Sequence, residues 1–193
     1  MTTCLSPSDL AVTAAIDASV LKLKLALKNA LDVDIYVEQY LPSFTWPPAR
    51  AGYVYSHRDG LLLLYFGIVP NPPRTCLARQ QKLLAELLPP NQTLRASIAL
   101  PIPILERGKT RAPNPEAPHE VLSVSRLRIV ISYARKQRGL KVREVVPKSG
   151  LYELSFGDHE KVEVSLVLPQ PIAALRRSDD FDRPFEAAEP APP

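Results

Sequence analysis

The sequence predicts an all-β chain folded as a two-sheet β-sandwich, and two observations support this prediction. Six or more segments alternate apolar and polar residues with a period of two, which is the spacing of a strand with one buried and one solvated face. The 21 prolines greatly outnumber the 7 glycines and cluster between these segments, where stiff extended connections lie. Because strands do not alternate with helices along the chain, two sheets packed face to face are the simplest arrangement.

The N-terminal half supplies the first predicted strands. Leucines alternate with lysines over residues 21–28, and apolar residues alternate with polar ones again over residues 33–38. Residues 53–55 and 61–69 flank Asp59-Gly60, a dipeptide that is typical of a tight hairpin turn.

The stretch 94–104, which reads LRASIALPIPI, has an apolar residue at every second position and predicts another strand. Pro101 and Pro103 lie on one edge of that strand, and neither can donate a backbone hydrogen bond. A strand blocked along one edge is expected at the border of a sheet, where it is protected against further pairing.

The C-terminal half adds two alternating segments, over residues 126–133 and 161–168. One short helix is predicted near residues 76–88, because CLARQQKLLAELL contains strong helix formers, follows Thr75 as a candidate N-cap and ends before Pro89. The alternative for this segment is a loop that ends in a short strand.

The chain is long enough for one domain with tails at both ends. We expect a flexible N-terminus over residues 1–8 and a single domain over residues 9–172. A long loop is predicted at 107–119, where apolar periodicity is missing. Residues 173–193 form a tail rich in proline, alanine and acidic residues that is expected to be disordered.

The stretches LKLKLALKNALDVDIYVEQYL and LPPNQTLRASIALP resemble the start and the middle of an immunoglobulin-like β-sandwich. The resemblance covers roughly Ala14 to Leu168, and its motifs are generic. The Cys-Trp-Cys core of antibody domains is absent, since Trp46 lies between Phe44 and Pro47. The resemblance implies a fold class, and a fold of this class implies no particular function.

Composition indicates a cytoplasmic protein without a cofactor. The net charge of +4 is only mildly basic, and Cys4 and Cys76 match no metal-ligand spacing. The N-terminus lacks the basic region of a signal peptide, and the longest apolar run, Leu61 to Ile68, is too short to span a bilayer. We therefore expect reduced thiols and no contact with a membrane.

The sequence contains no recognisable catalytic arrangement, so the protein is predicted not to be an enzyme. His57, His119 and His159 have neighbouring carboxylates but none of the spacings of a metal site, so no metal ligands are predicted. Nucleophile and phosphate-loop motifs are also missing. A hydrolase or metal-dependent enzyme, with a site assembled from one of these histidines and distant carboxylates, remains an alternative.

Aromatic side chains are the predicted interaction anchors. If Ile35 and Val37 face the core, Tyr36 and Tyr40 stand on the outer face and lead into a loop that carries Trp46. Exposed tyrosine and tryptophan residues are preferred in interfaces because they bury a large area at low entropic cost. The alternative is that these rings form a second buried layer.

Basic residues concentrate in the segment 126–148. Arg126 and Arg128 share the outward face of their strand and are predicted to steer a partner by charge. The segment also supports an alternative function, the binding of nucleic acid or another polyanion. A third interpretation is that these charges pair with neighbouring strands.

These observations together favour a non-enzymatic protein–protein interaction module. We expect it to be a subunit or accessory factor of a larger assembly that binds another protein or copies of itself. Tyr36, Tyr40, Trp46, Arg126 and Arg128 are the predicted contact residues.

Overall fold

The computed structural model is all-β in the residues that it describes, which are 4–40, 52–67, 84–108, 116, 118–137, 139–155 and 159–177. The strands are β1 (Leu10–Asp17), β2 (Val20–Lys28), β3 (Ile35–Tyr40), β4 (Tyr53–Ser56), β5 (Leu61–Phe66), β6 (Leu84–Leu88), β7 (Thr93–Pro101), β8 (Ile104–Leu105), β9 (His119–Arg135), β10 (Lys141–Glu144), β11 (Leu151–Ser155) and β12 (His159–Arg177). A short 3₁₀ helix, Pro7–Asp9, precedes β1. Among the described residues, no helix is long and apolar enough to cross a membrane.

The described residues of the small sheet form three antiparallel strands in the order β1-β2-β7. The leucines of β2 face the core and are buried, whereas the lysines between them are exposed, which confirms the alternation predicted for residues 21–28. One face of this sheet therefore packs inward and the other is solvated.

In the described part of the chain, the large sheet has nine strands, with β10-β11-β6-β3-β9-β12-β8 as its main path and β4 joined through β5 to β9. Its centre is a long antiparallel pair of β9 and β12, whose register shifts between Val167 and Ile172. Two pairs in this sheet are parallel, β5 with β9 and β8 with β12. The bulge coincides with Pro169 and Pro171, which lack the N–H donors that a regular ladder requires.

The main core lies between the inner faces of the two sheets, where Leu21, Leu23, Leu127 and Ile129 are fully buried. The large sheet is also covered on its outer face, by two smaller clusters. Their buried members are Tyr53, Tyr55, Leu63, Tyr65 and Val130 in one, and Tyr36, Ala85, Ala134 and Leu154 in the other. Burial on both faces explains why β5 is an unbroken apolar run.

The structure confirms the predicted hairpin and the predicted border strand. The hairpin of β4 and β5 turns at Gly60, whose positive φ of 82° suits a glycine. Within the described part of the chain, β7 pairs only with β2. Ile102 donates its N–H to the Ser19 carbonyl, so the neighbouring Pro101 and Pro103 face the outer edge, since strand residues alternate in direction.

The prediction of a helix near residues 76–88 is wrong for residues 84–88. Residues Leu84–Leu88 form strand β6, which lies between β3 and β11, and residues 76–83 are outside the described residues. Ala85 of β6 is fully buried, so pairing and packing in the sheet override the helix propensity of LAELL. The alternative, a segment ending in a short strand, fits residues 84–88.

Both chain ends are ordered further than the sequence predicts. Strand β12 continues to Arg177, and Ala174 and Arg177 are buried, so the tail expected from residue 173 does not begin there. Residues 178–193 lie outside the described residues. At the other end, Leu5 is buried and donates its N–H to the Tyr133 hydroxyl over 2.9 Å, although flexibility was expected over residues 1–8.

Candidate interaction surface

Tyr36, the first predicted anchor, is buried rather than exposed. Only 5% of it is accessible, and its ring meets Tyr152 edge-on with the centroids 5.3 Å apart. Burial raises the pKa of its hydroxyl above the ordinary value for tyrosine. The expectation that Tyr36 faces a partner is therefore wrong, and the alternative, a second buried layer, is confirmed for this residue. The side chains of Tyr40 and Trp46 lie outside the described residues.

Tyr36 is buried because β3 is an interior strand of a sheet covered on both faces. β3 lies between β6 and β9, and Tyr36 packs with Ala85, Ala134 and Leu154 on the outer side. In a strand of this kind, polar-looking alternation does not indicate solvent exposure.

Arg126 and Arg128, the predicted steering charges, lie on β9 as expected. Arg126 is exposed, but its guanidinium donates to the Asp59 carboxylate at 2.6 Å and to the Asp59 carbonyl at 2.9 Å. Arg128 is only half exposed. Arg126 therefore fastens β9 to the turn of the β4–β5 hairpin.

Other cations of the basic segment are also paired with carboxylates. Arg135 meets Glu160, Lys136 meets Asp34 and Arg143 meets Glu153, at 2.5, 2.8 and 2.5 Å. This agrees with the interpretation that the charges of segment 126–148 pair with neighbouring strands. Their pairing lowers the positive potential that a polyanion would meet there.

Glu160 belongs to a small network that fixes the N-terminus. It accepts hydrogen bonds from Arg135 and from the Tyr133 hydroxyl at 2.6 Å, and that hydroxyl accepts the N–H of Leu5. Burial opposes ionisation of Glu160, but the hydrogen bonds outweigh it and hold the pKa of this carboxyl below its ordinary value. Burial, together with the bond to Glu160, raises the pKa of Tyr133.

One of the three histidines meets a carboxylate that is distant in sequence. His159 Nδ1 lies 2.8 Å from Glu38 Oε1, and Glu38 is 1% exposed. Gly67 packs against Glu38 and the buried Ser132 so closely that a side chain at position 67 would overlap both. The described residues contain no group of three or more side chains suited to hold a metal ion.

A second buried carboxylate, Glu106, is satisfied by hydrogen bonds. It accepts the N–H of Ser56 at 2.8 Å, the hydroxyl of Ser56 at 2.9 Å and the N–H of Arg177 at 2.9 Å. These bonds join β4, the segment after β8 and the end of β12. Glu106 therefore acts as a structural clamp.

The solvated side of the small sheet has a different character. Its large side chains are Lys22, Lys24 and Lys28 of β2 and Arg95 of β7, all exposed, and we call this surface the basic face. The Cα atoms of lysines two positions apart on a strand are separated by about 6.7 Å, since each residue advances about 3.3–3.4 Å along the strand. The remaining outward residues are the half-buried Val20 and a set of small or short side chains: Ala11, Thr13, Ala15, Asp17, Ala26, Thr93, Ser97, Ala99 and Pro101.

Asp17 is the one carboxylate among these outward residues, and it lies at the end of β1. It forms an ion pair with Lys22, whose hydrogen bond holds the pKa of Asp17 below the ordinary value. Within the three described strands, the basic face therefore has four cations and a single carboxylate at its border.

Alternation predicts the polar side of residues 21–28 but does not predict the face as a whole. Arg95 joins the lysines only because β7 pairs with β2, which sets Arg95 opposite Ala26 and Ser97 opposite Lys24. Strand order over such a distance in sequence is not readable from alternation alone.

Comparison with protein-family models, with curated proteins and with solved structures found no match to this chain.

Proposed function

We propose that this chain is a non-enzymatic interaction module of the cytoplasm, a subunit or accessory factor that binds an acidic surface of another protein. The binding surface is the basic face of the small sheet. The observation that carries the proposal is its excess of positive charge, with Lys22, Lys24, Lys28 and Arg95 against the single carboxylate of Asp17. Interspersed charges of both signs largely cancel, whereas a face with an excess of one sign produces a field that can steer a partner.

The contrast with the large sheet supports this choice of surface. There, Arg126, Arg135 and Arg143 each meet a carboxylate of the same sheet or its turns. Cations that are already paired contribute little to the attraction of a partner. Cations that outnumber the carboxylates around them raise the local potential and speed the association of an oppositely charged protein.

The shape of the basic face favours a protein partner over a single-stranded nucleic acid. Alanine, serine and threonine side chains surround the lysines, so a broad partner surface can approach the sheet. Among the described residues of β1, β2 and β7, no aromatic side chain lies on this face, and single-stranded nucleic acids are ordinarily bound on aromatic stacking platforms.

Binding of poly-glutamate, measured by fluorescence anisotropy against increasing NaCl, tests the proposal. Lys24→Glu should weaken binding at least tenfold, because it reverses the charge at the centre of the face. Lys148→Glu is the matched control, since it makes the same charge change at an exposed turn beside β11, and it should leave binding unchanged. Equal weakening by both variants would contradict the proposal, and tighter binding of duplex DNA at equal charge would favour the polyanion alternative.

The immunoglobulin-like resemblance forms part of the proposal. Two facing sheets with a solvated face support it, together with the predominance of antiparallel pairs. The parallel pairs of β5 with β9 and of β8 with β12 would be additions to that pattern.

A further inference from the structure

The two outer strands of the small sheet expose different backbone edges. The backbone N–H of Asn29 donates to the Gln92 carbonyl, and that of Ile102 donates to the Ser19 carbonyl. Because backbone groups alternate in direction along an antiparallel strand, the odd-numbered residues of β2 form hydrogen bonds with β7 and the even-numbered ones with β1. The register of β1 with β2 then leaves Val12, Ala14 and Ile16 with their N–H and C=O groups on the outer edge. In the described part of the chain, these groups have no backbone partner.

The edge of β1 lacks the protection that β7 has. On β7, Pro101 removes a donor and Arg95 places a charge at the edge. On β1, residues 10–16 contain no proline and no charged side chain, and their pairing with β2 has no bulge. An apolar strand with an open edge of this length is a template for pairing with another chain.

The side chains along this edge are also incompletely covered. Val12, Ala14 and Ile16 point inward but are only partly buried, as are Val164 and Leu166 of β12, which packs against β1. A further strand beside β1 would cover this apolar seam with its own inward side chains.

We propose that the edge of β1 binds an extended segment of the partner protein as a fourth, antiparallel strand of the small sheet. In this segment, apolar residues that face inward alternate with acidic residues that face outward. The antiparallel direction follows both existing ladders of the sheet. This inference rests on the proposed function, because the acidic residues would meet the basic face.

Charge complementarity supports an acidic segment. Neighbouring strands are about 4.8 Å apart, so the added strand would lie about 10 Å from β2. Between them are Ala11, Thr13 and Ala15, whose short side chains leave Lys22 and Lys24 room to reach outward across β1. Glutamates on the added strand would then accept hydrogen bonds from these lysines.

The test uses a synthetic nine-residue peptide in which valine and glutamate alternate, with binding measured by isothermal titration calorimetry. Ala14→Pro should weaken binding at least tenfold, because proline removes an outward donor without breaking the ladder to β2. Ala99→Pro is the matched control: it removes an outward donor from the edge of β7, and binding should be unchanged.

A modified peptide keeps the test independent of protein folding. In an antiparallel pair, residues that face each other point to the same side, so the inward valines are those whose N–H groups bond to β1. Methylation of the valine nitrogens should abolish binding, whereas methylation of the glutamate nitrogens should not. A peptide with lysine in place of glutamate should not bind.

The variants separate this inference from the proposed function. If Lys24→Glu weakens binding but Ala14→Pro and valine methylation do not, the edge proposal is overturned and the basic face stands. If Lys24→Glu has no effect, both are overturned. Analytical ultracentrifugation of the protein without peptide should find a monomer. If it finds a dimer, and Ala14→Pro dissociates that dimer, the edge of β1 instead binds a second copy of the chain.

Discussion

The two sheets handle charge in opposite ways. Several charges of the large sheet are satisfied within it: Glu106 accepts hydrogen bonds from Ser56 and Arg177, and Arg135 is paired with Glu160. The small sheet gathers its cations on a solvated face whose single carboxylate lies at the border. The local density of basic residues in the sequence is thus a poor guide to a binding surface, because cross-strand pairing decides which charges are available.

The largest expected effect concerns the clamp in the large sheet. Glu106→Ala should lower the free energy of unfolding by about 2–6 kcal/mol, since it leaves two buried N–H donors unsatisfied at about 1–3 kcal/mol each. Urea unfolding measures this change. Glu120→Ala, at an exposed ion pair with Arg58, is the control and should cost at most about 1 kcal/mol. Equal costs would show that Glu106 does not clamp the sheet.

Core truncations compare the two sheets directly. Ile129→Ala and Leu25→Ala should each cost about 2–5 kcal/mol, as large-to-small changes in a core do. Ile129 should lie at the upper end because it is fully buried, whereas Leu25 lines a small apolar pocket that opens beside β7. If either variant lowers the free energy of unfolding by less than about 0.5 kcal/mol, as a surface substitution does, that residue does not face the core as assigned.

The Glu160 network should give the large sheet an acid-sensitive contribution. The pKa of Glu160 is lowered in the folded state, so its contribution is present above the unfolded value of about 4.3 and is lost as the pH falls through the folded value. Glu160→Gln should therefore be less stable than the parent by about 1–3 kcal/mol at pH 7. The free energies of unfolding of the parent and of Glu160→Gln, measured with urea, should converge as the pH falls below about 4. A difference between the two proteins that grows in acid would contradict this prediction.

The smallest expected effect on stability lies on the basic face. Lys24→Glu should change the free energy of unfolding by no more than about 0.5 kcal/mol, since Lys24 is exposed. Thermal unfolding at two salt concentrations measures it. A loss above about 1 kcal/mol would mean that Lys24 serves the fold, and its effect on binding would then need a different explanation.

Much of the fold follows from local patterns in the sequence. Alternation predicts β2, Asp59-Gly60 predicts the β4–β5 hairpin, and Pro101 with Pro103 predicts the border strand. These features depend on residues within a few positions of each other, which is the range over which alternation and turn chemistry act.

The errors arise where distant strands decide the outcome. Tyr36 is buried because β3 lies between β6 and β9, and residues 84–88 form a strand because β3 and β11 flank them. Arg95 completes the basic face only through the pairing of β7 with β2. Helix propensity and polar alternation are local properties of the sequence, so they do not predict these long-range strand pairings.

Amine labelling of the unmodified protein tests the central claim most directly. The chain is treated with a lysine-reactive reagent with and without poly-glutamate, and the labelling of each lysine is measured by mass spectrometry. If the basic face is the binding surface, poly-glutamate should protect Lys22, Lys24 and Lys28 and should leave Lys136 and Lys148 as reactive as before. Protection of Lys136 or Lys148 with no protection of the β2 lysines would contradict it.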